Sequence, residues 1–385
     1  MNINELPIET EQMIASLRTW VEAESPSFNA TAVNKVIDLA AYDLASMGAS
    51  IERVPGRFGF GDILRATLDN STGENTKAGV VICCHADTVH PLGSLHTMPY
   101  RREGNKLFGA GVLSCKSGLF ICLEAVRQLI HSNIQMHLPV TFLIVPDKEA
   151  GCPSSREFIE ASVRHAKYAL VPEPAAADGG VVLGRSAVLR FELDVKVDTV
   201  HELKSSDHTG VKSPIYEMAR QVIDIEEMST ADCNFSVGTI QSGQWANFAE
   251  KCLAEVISEA KTTAAVKEST EKMLALNSPN PDSGLHVNRS VKLPLWESDE
   301  HCKNLYDELV KAGEELSLEL NHSTAGGGSL GNISGAMGIA TLDGLGARGL
   351  CNQLPGACRS RAEYLEIDSL PERGKLMAAL LARLN

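Results

Sequence analysis

Three short apolar runs, residues 78–84, 139–146 and 168–172, each end on charged or ligating side chains, and each is separated from the next by a segment of helical periodicity. Apolar, β-branched runs of this length read as buried strands. Strands alternating with helices specify a largely parallel, helix-covered sheet. The first run leads into His85-Ala86-Asp87-Thr88-Val89, the second into Asp147-Lys148-Glu149, and the third into Glu173-Pro174. In open sheets of this kind, ligands bind outside the carboxyl ends of the strands. His85 and Asp87 are therefore expected at the carboxyl end of their strand, and the other two runs likewise end in charged residues, Asp147-Lys148-Glu149 and Glu173. Residues two apart on a strand share a face, so Asp87 is expected beside His85. A carboxylate there fixes the imidazole tautomer, as in the supporting shell of a metal-binding histidine.

The chain before and after these strands is consistent with the same class. Residues 8–24 and 31–48 have helical periodicity and are parted by Ser25-Pro26-Ser27. The glycine-rich stretch 109–118 opens a further helix. Near Ser186 the pattern changes. Residues 187–197 alternate apolar and polar, followed by a helix over 212–227, strands near 235–241 and 252–258, a helix over 264–276 and a strand near 284–292. That β-α-β-β-α-β order is ferredoxin-like. The α/β pattern then resumes and closes with a helix from 369. The expected division is residues 1–185, an inserted α+β domain over 186–293, and residues 294–385.

Composition narrows the function classes. Of 385 residues, 44% are hydrophobic and 22% charged, which provides ample material for a core. The net charge of -14 argues against nucleic acid or an anionic membrane surface as partner. No charged-then-apolar start and no apolar run of membrane-spanning length is present, so a cytoplasmic protein is expected. The 10 cysteines lack paired spacing and are expected to be reduced thiols.

Six segments in order resemble the M20 family of metallopeptidases and amidohydrolases, the group of acetylornithine deacetylase, succinyl-diaminopimelate desuccinylase and carboxypeptidase G2. They are HADTVHP, GAGVLSCKSG, DKEAGCPSSR, VPEPA, the pair GGGSLGN and GLGARG, and ACRSRAEYLEI. The resemblance implies two-zinc hydrolysis of the amide bond of a small N-acyl amino acid or peptide-like substrate. It also implies a homodimer formed through the inserted domain. Carried over position by position, it implies metal ligands at His85, Glu149 and Glu173, with Asp87 as the support of His85. His201 stands where the family sends a histidine into the partner's active site, and Asn247 where it has a substrate-binding asparagine.

Four positions of the catalytic and glycine motifs depart from the pattern, besides Glu250 in place of a proline and a missing arginine over 256–260 in the inserted domain. Ser114 stands at the bridging aspartate, Lys148 at the general-base glutamate, Cys358 at the last histidine ligand, and Leu330 at the aspartate after the third glycine motif. A serine hydroxyl lacks the negative charge that holds two dications together. A protonated lysine takes no proton from water, although burial can lower its pKa. Cysteine remains a good zinc ligand. Zinc content from zero to two per subunit follows as an expectation, with a bridged pair doubtful. Lys148 either fills the metal position with its own charge or acts in catalysis, for instance by activating Ser114 in a dyad. Gly327 and Gly328 either hold an anionic substrate group through backbone N–H groups or serve packing. Hydrolysis at an altered site competes with acyl transfer, and with a protein that only binds its ligand. His90, His96, His208 and His322 have no visible partners in the sequence.

Overall fold

The computed structural model describes residues 3–69, 78–197, 213–243, 249–279, 283–350 and 363–385. The chain divides into two compact units. One holds residues 1–185, 296–325 and 329–385, and the other holds 186–295 with the glycines 326–328.

The first unit is built on a six-stranded sheet in the order Ser50–Val54, Ile63–Leu68, Val140–Val145, Val80–His85, Tyr168–Leu170, Ala340–Leu342. The pairings of Val80–His85 with both neighbours, and of Tyr168–Leu170 with Ala340–Leu342, are parallel. The two pairings at the Ser50–Val54 edge are antiparallel. All six residues of Val80–His85 are buried. A strand covered on both faces by helices requires such an uninterrupted apolar run, which is why periodicity two is absent there. Leaving this strand, the chain passes through helix Ser117–His131 to Val140–Val145 on one side. It then passes through helix Arg156–Val163 to Tyr168–Leu170 on the other. Val80–His85 is therefore the point where strand order reverses, and its carboxyl end is where sheets of this kind bind ligands in a crevice.

The helices follow from local chemistry. Asn29 accepts a hydrogen bond from Ala32 N at the start of Ala30–Ser46, and Asp299 does the same for Cys302 N at the start of Glu300–Glu315. Helix Ser117–His131 packs against the closing helix Ser369–Arg383. A four-stranded antiparallel sheet of Gly349–Leu350, Tyr364–Glu366, Lys106–Phe108 and Arg101–Glu103 joins distant parts of the chain and has no clear sequence signature.

The second unit is a four-stranded antiparallel sheet in the order Cys233–Ser242, Lys251–Ala260, Ala187–Val197, Ser283–Leu293. The helices Pro214–Glu227 and Thr263–Leu274 complete it, each opened by a capping hydroxyl, Ser213 and Thr262. Strand Lys251–Ala260 alternates buried and exposed positions, as a sheet with one covered face requires. Every described cysteine is buried and free of disulfides. Among the described residues no helix is long and apolar enough to cross a membrane.

Candidate active site

The crevice at the end of Val80–His85 collects His85, Asp87, Lys148, Glu149, Glu173 and the backbone of Ser114. The strand ends at His85, so Asp87 lies in the turn beyond it and is not carried on the strand as expected. It reaches His85 by folding back. His85 Nδ1 is 2.9 Å from the Asp87 carbonyl and 3.1 Å from Asp87 Oδ1.

Asp87 is fully buried and organises the whole crevice. Its carboxylate accepts hydrogen bonds from Ser27 Oγ at 2.6 Å, Lys148 N at 3.1 Å and Glu149 N at 3.0 Å, besides the His85 ring. Burial alone would raise its pKa. The bonds from His85, Ser27 and the Glu149 amide outweigh burial and hold it below the usual carboxylate range. The turn that presents Lys148 and Glu149 is thus pinned by its amides to Asp87, and Ser27 joins the first helical pair to the same point.

Asp147, just before that turn, is also buried. It accepts bonds from Ser154 N, Ser155 N and Ser155 Oγ and so starts helix Arg156–Val163. Burial leaves its pKa raised in spite of these bonds.

Lys148 points back into the crevice. Its Nζ lies 3.0 Å from Glu173 Oε1 and 3.2 Å from Glu149 Oε1. Burial opposes the charge, but Glu149 and Glu173 outweigh it and raise the lysine pKa above its ordinary value. Lys148 is thus held by two carboxylates, which fits the alternative in which its own charge fills the metal position.

His85 completes the cluster. Its Nε2 lies 3.1 Å from the Ser114 carbonyl and 3.5 Å from Glu173 Oε1. Both ring nitrogens face acceptors, which is the arrangement of an imidazolium. Burial and the nearby Lys148 oppose that charge. Contacts with Cys115 and the Asp87 carboxylate prevail, and the pKa is raised well above the ordinary value. Cys115 donates its thiol to the His85 carbonyl at 3.1 Å.

Sequence reasoning missed a further buried carboxylate. Glu363 accepts bonds from Gly111 N at 3.0 Å, Leu113 N at 2.9 Å and Ser114 N at 2.9 Å, and pairs with His90 Nε2 at 2.9 Å. His90, which has no evident role in the sequence, is its partner. Glu363 holds the wide turn 111–116, closed by Lys116 N to Gly111 O at 3.1 Å, that presents Ser114. Gly111 is needed there: its φ is +72°, and a Cβ would lie 2.6 Å from Thr88 Cγ2. Nothing in the spacing of residues 90, 111 and 363 announces the contact. The one cue is an acidic residue immediately before the short strand Tyr364–Glu366.

Other expected site residues fall elsewhere. His201, Asn247 and Cys358 lie outside the described residues. Leu330 is buried at the start of helix Gly331–Ala336. Gly327 and Gly328 group with the second unit. A Cβ on Gly328 would lie 2.4 Å from Leu293 Cδ1, so packing accounts for that glycine, whereas Gly327 has φ +74° and open space.

A two-metal centre needs an anionic bridge and donors with free lone pairs. By the family resemblance the bridge position would hold the neutral Ser114; in the structure both His85 nitrogens face acceptors, and Lys148 binds the carboxylates of Glu149 and Glu173. The expected ligands His85, Glu149 and Glu173 are brought together, but around an ammonium, and the described residues of the set do not fit such a centre. Among the described residues no group of three or more His, Cys, Asp or Glu side chains is arranged to hold a metal ion.

Comparison with known proteins extends over almost the entire chain. Residues 81–383 match the description Peptidase family M20/M25/M40. Carboxypeptidase G2 of Pseudomonas sp. (strain RS-16) is 24% identical over a 390-residue alignment covering 98% of this chain and 90% of the relative. Human carnosine dipeptidase 1 is similar in fold, with a TM-score of 0.73 at 14% identity, covering 99% of each chain. A Bacillus subtilis protein described as a dinuclear metal-binding peptidase of the M20 family has a TM-score of 0.63 at 15% identity, covering 97% of each chain.

Proposed function

Because the chain belongs to peptidase family M20/M25/M40, we propose that it hydrolyses the amide bond of a small N-acyl amino acid or peptide-like molecule without a two-metal centre. The observation that carries this proposal is the Lys148 ammonium, 3.0 Å from Glu173 and 3.2 Å from Glu149. A buried cation with N–H donors stabilises a developing oxyanion, as a metal ion otherwise would. Glu149 is the more exposed of the two carboxylates, at 19% against 10% for Glu173. It accepts a proton from the attacking water as the water oxygen bonds to the carbonyl carbon. The same proton passes to the leaving nitrogen as the C–N bond breaks. Asp87 holds the turn that carries both groups. The family resemblance further assigns His201 of the partner subunit and Asn247 as hydrogen-bond donors to the oxyanion, Gly327 as a substrate contact and Cys358 as a further site residue. The second unit mediates a homodimer, and the protein works in the cytoplasm on a small molecule.

One observation favours a second function, ligand binding without turnover. Glu149, the carboxylate offered as base, is itself engaged by Lys148 Nζ at 3.2 Å, and both His85 ring nitrogens face acceptors.

Metal content of protein purified without chelator, paired with amino-acid release from N-acyl amino acids, tests both. Substoichiometric metal with chelator-resistant release, lost in Lys148→Ala, supports hydrolysis. Binding without release supports the second function. Stoichiometric zinc with chelator-sensitive release overturns both.

A further inference from the structure

We infer that Phe28 and Phe58 form an aromatic rim that selects substrates by the apolar group on the acyl side of the amide; this rests on the small-amide function proposed above. Among the described residues these are the two most exposed large apolar side chains, at 83% and 80%. They occur on separate segments that the fold brings together. Phe28 packs against Phe60, ring centroids 5.5 Å apart, and Phe60 lies two residues from Phe58 in the loop after strand Ser50–Val54.

Both segments are tied to the charged crevice. Ser27, next to Phe28, donates to the Asp87 carboxylate at 2.6 Å. Arg57, next to Phe58, donates its amide to Ser154 Oγ at 2.7 Å, and Ser154 N donates to Asp147 at 2.6 Å. Asp147 immediately precedes Lys148. The rim is therefore anchored to the two carboxylates that frame the Lys148 turn.

The backbone at Phe58 supplies a second observation. Its φ is +57°, a conformation that a bulky side chain rarely adopts. No burial of the ring compensates for it, since the ring is 80% exposed. Strain maintained without packing gain is characteristic of ligand clamps.

The size of the patch argues for a small occupant. Two rings present roughly 150–250 Å² each, well short of the ~800 Å² per partner that a stable protein interface buries. Charged neighbours bound it, with Arg57 and Glu157 paired at 3.2 Å. A molecule with a polar amide end in the crevice and an apolar end on the rings matches both halves.

Titration calorimetry with N-acetylglycine and N-benzoylglycine tests the inference, because the two differ only at the acyl group. Wild-type protein is expected to bind the benzoyl compound about tenfold more tightly, the size of a good aromatic contact. Phe58→Ala and Phe28→Ala are each expected to reduce that preference to about twofold while leaving N-acetylglycine affinity unchanged. Phe58→Tyr is expected to retain the preference. Equal affinities in the wild type, or a preference that survives in both alanine variants, overturn the rim alone. Binding of neither compound overturns the small-amide function with it.

Discussion

The Lys148 ammonium and the Glu173 carboxylate stand 3.0 Å apart in a crevice where both side chains are nearly buried, at 11% and 10% exposure. The same Glu173 oxygen is 3.5 Å from His85 Nε2. Removing the cation leaves two carboxylates facing each other with little water to shield them. Breaking a buried pair by deleting one partner costs about 3–5 kcal/mol, whereas removing both partners costs much less. Lys148→Met is expected to destabilise the protein by that amount in urea unfolding, and adding Glu173→Gln is expected to recover a part. Equal stabilities for the single and double variants would mean that Lys148 contributes no compensation.

The poor fit to metal has its own consequence. By the family resemblance, Ser114→Asp would supply a negative bridge, Lys148→Glu removes the competing cation, and Cys358→His would supply a neutral donor. The triple variant is expected to take up zinc in calorimetric titration, with protons released as ligands deprotonate. Wild-type protein is expected not to. Stoichiometric uptake by the wild type would show that the cluster rearranges for metal in spite of the Lys148 pairings.

Much of this site is legible in the sequence because strands deliver it. His85, Asp147 to Glu149 and Glu173 each follow a short apolar run, and strand ends converge wherever parallel order reverses. The side of the sheet follows from the run; the hydrogen-bonding does not. That Asp87 lies beyond the strand, and that it holds the Lys148 turn by two amides, depends on backbone geometry that no pattern of residue types encodes. Glu363 is the clearest case. It lies 249 residues from Ser114 and still accepts its amide proton. The direction of the Lys148 pKa was equally hidden, since burial and paired carboxylates act oppositely and only distances decide between them.

Glu363 gives the acid limb of stability. Burial would raise its pKa, but His90 and the amides of Ser114 and Leu113 outweigh burial and lower it from 4.5. A lowered carboxylate contributes stability that is fully present above its unfolded pKa and is lost as pH falls through the lower folded value. Asp87 acts in the same direction. Glu363→Gln places an amide donor against three backbone N–H groups. It is expected to cost about 1–3 kcal/mol for each donor left unsatisfied. It is also expected to flatten the fall of unfolding free energy below about pH 4.5. An unchanged acid limb in the variant would assign acid sensitivity to other groups.

Lys116 acts at the opposite end of the pH scale. Its side chain is 1% exposed, and Nζ donates to the Ala23 carbonyl at 2.7 Å and the Val21 carbonyl at 3.3 Å, at the end of helix Thr10–Glu22. Burial is the largest influence and pushes its pKa down from 10.5 to about 8, against the attraction of Cys115, Glu363 and Glu24. Below pH 8 the folded and unfolded states are both protonated, and the full penalty of burying the ammonium is present. Between about 8 and 10.5 the folded state sheds its proton first, so the unfolded state binds more protons and stability rises with pH. The shift corresponds to roughly 3 kcal/mol across that window. Lys116→Met loses the two carbonyl contacts but also the buried charge. The wild-type minus variant difference in unfolding free energy cancels every other titrating group. That difference is expected to move in favour of the wild type by roughly 3 kcal/mol between about pH 7 and about pH 10.5. Parallel pH curves for the two proteins would mean that Lys116 keeps its ordinary pKa, with water reaching its ammonium through the first helix.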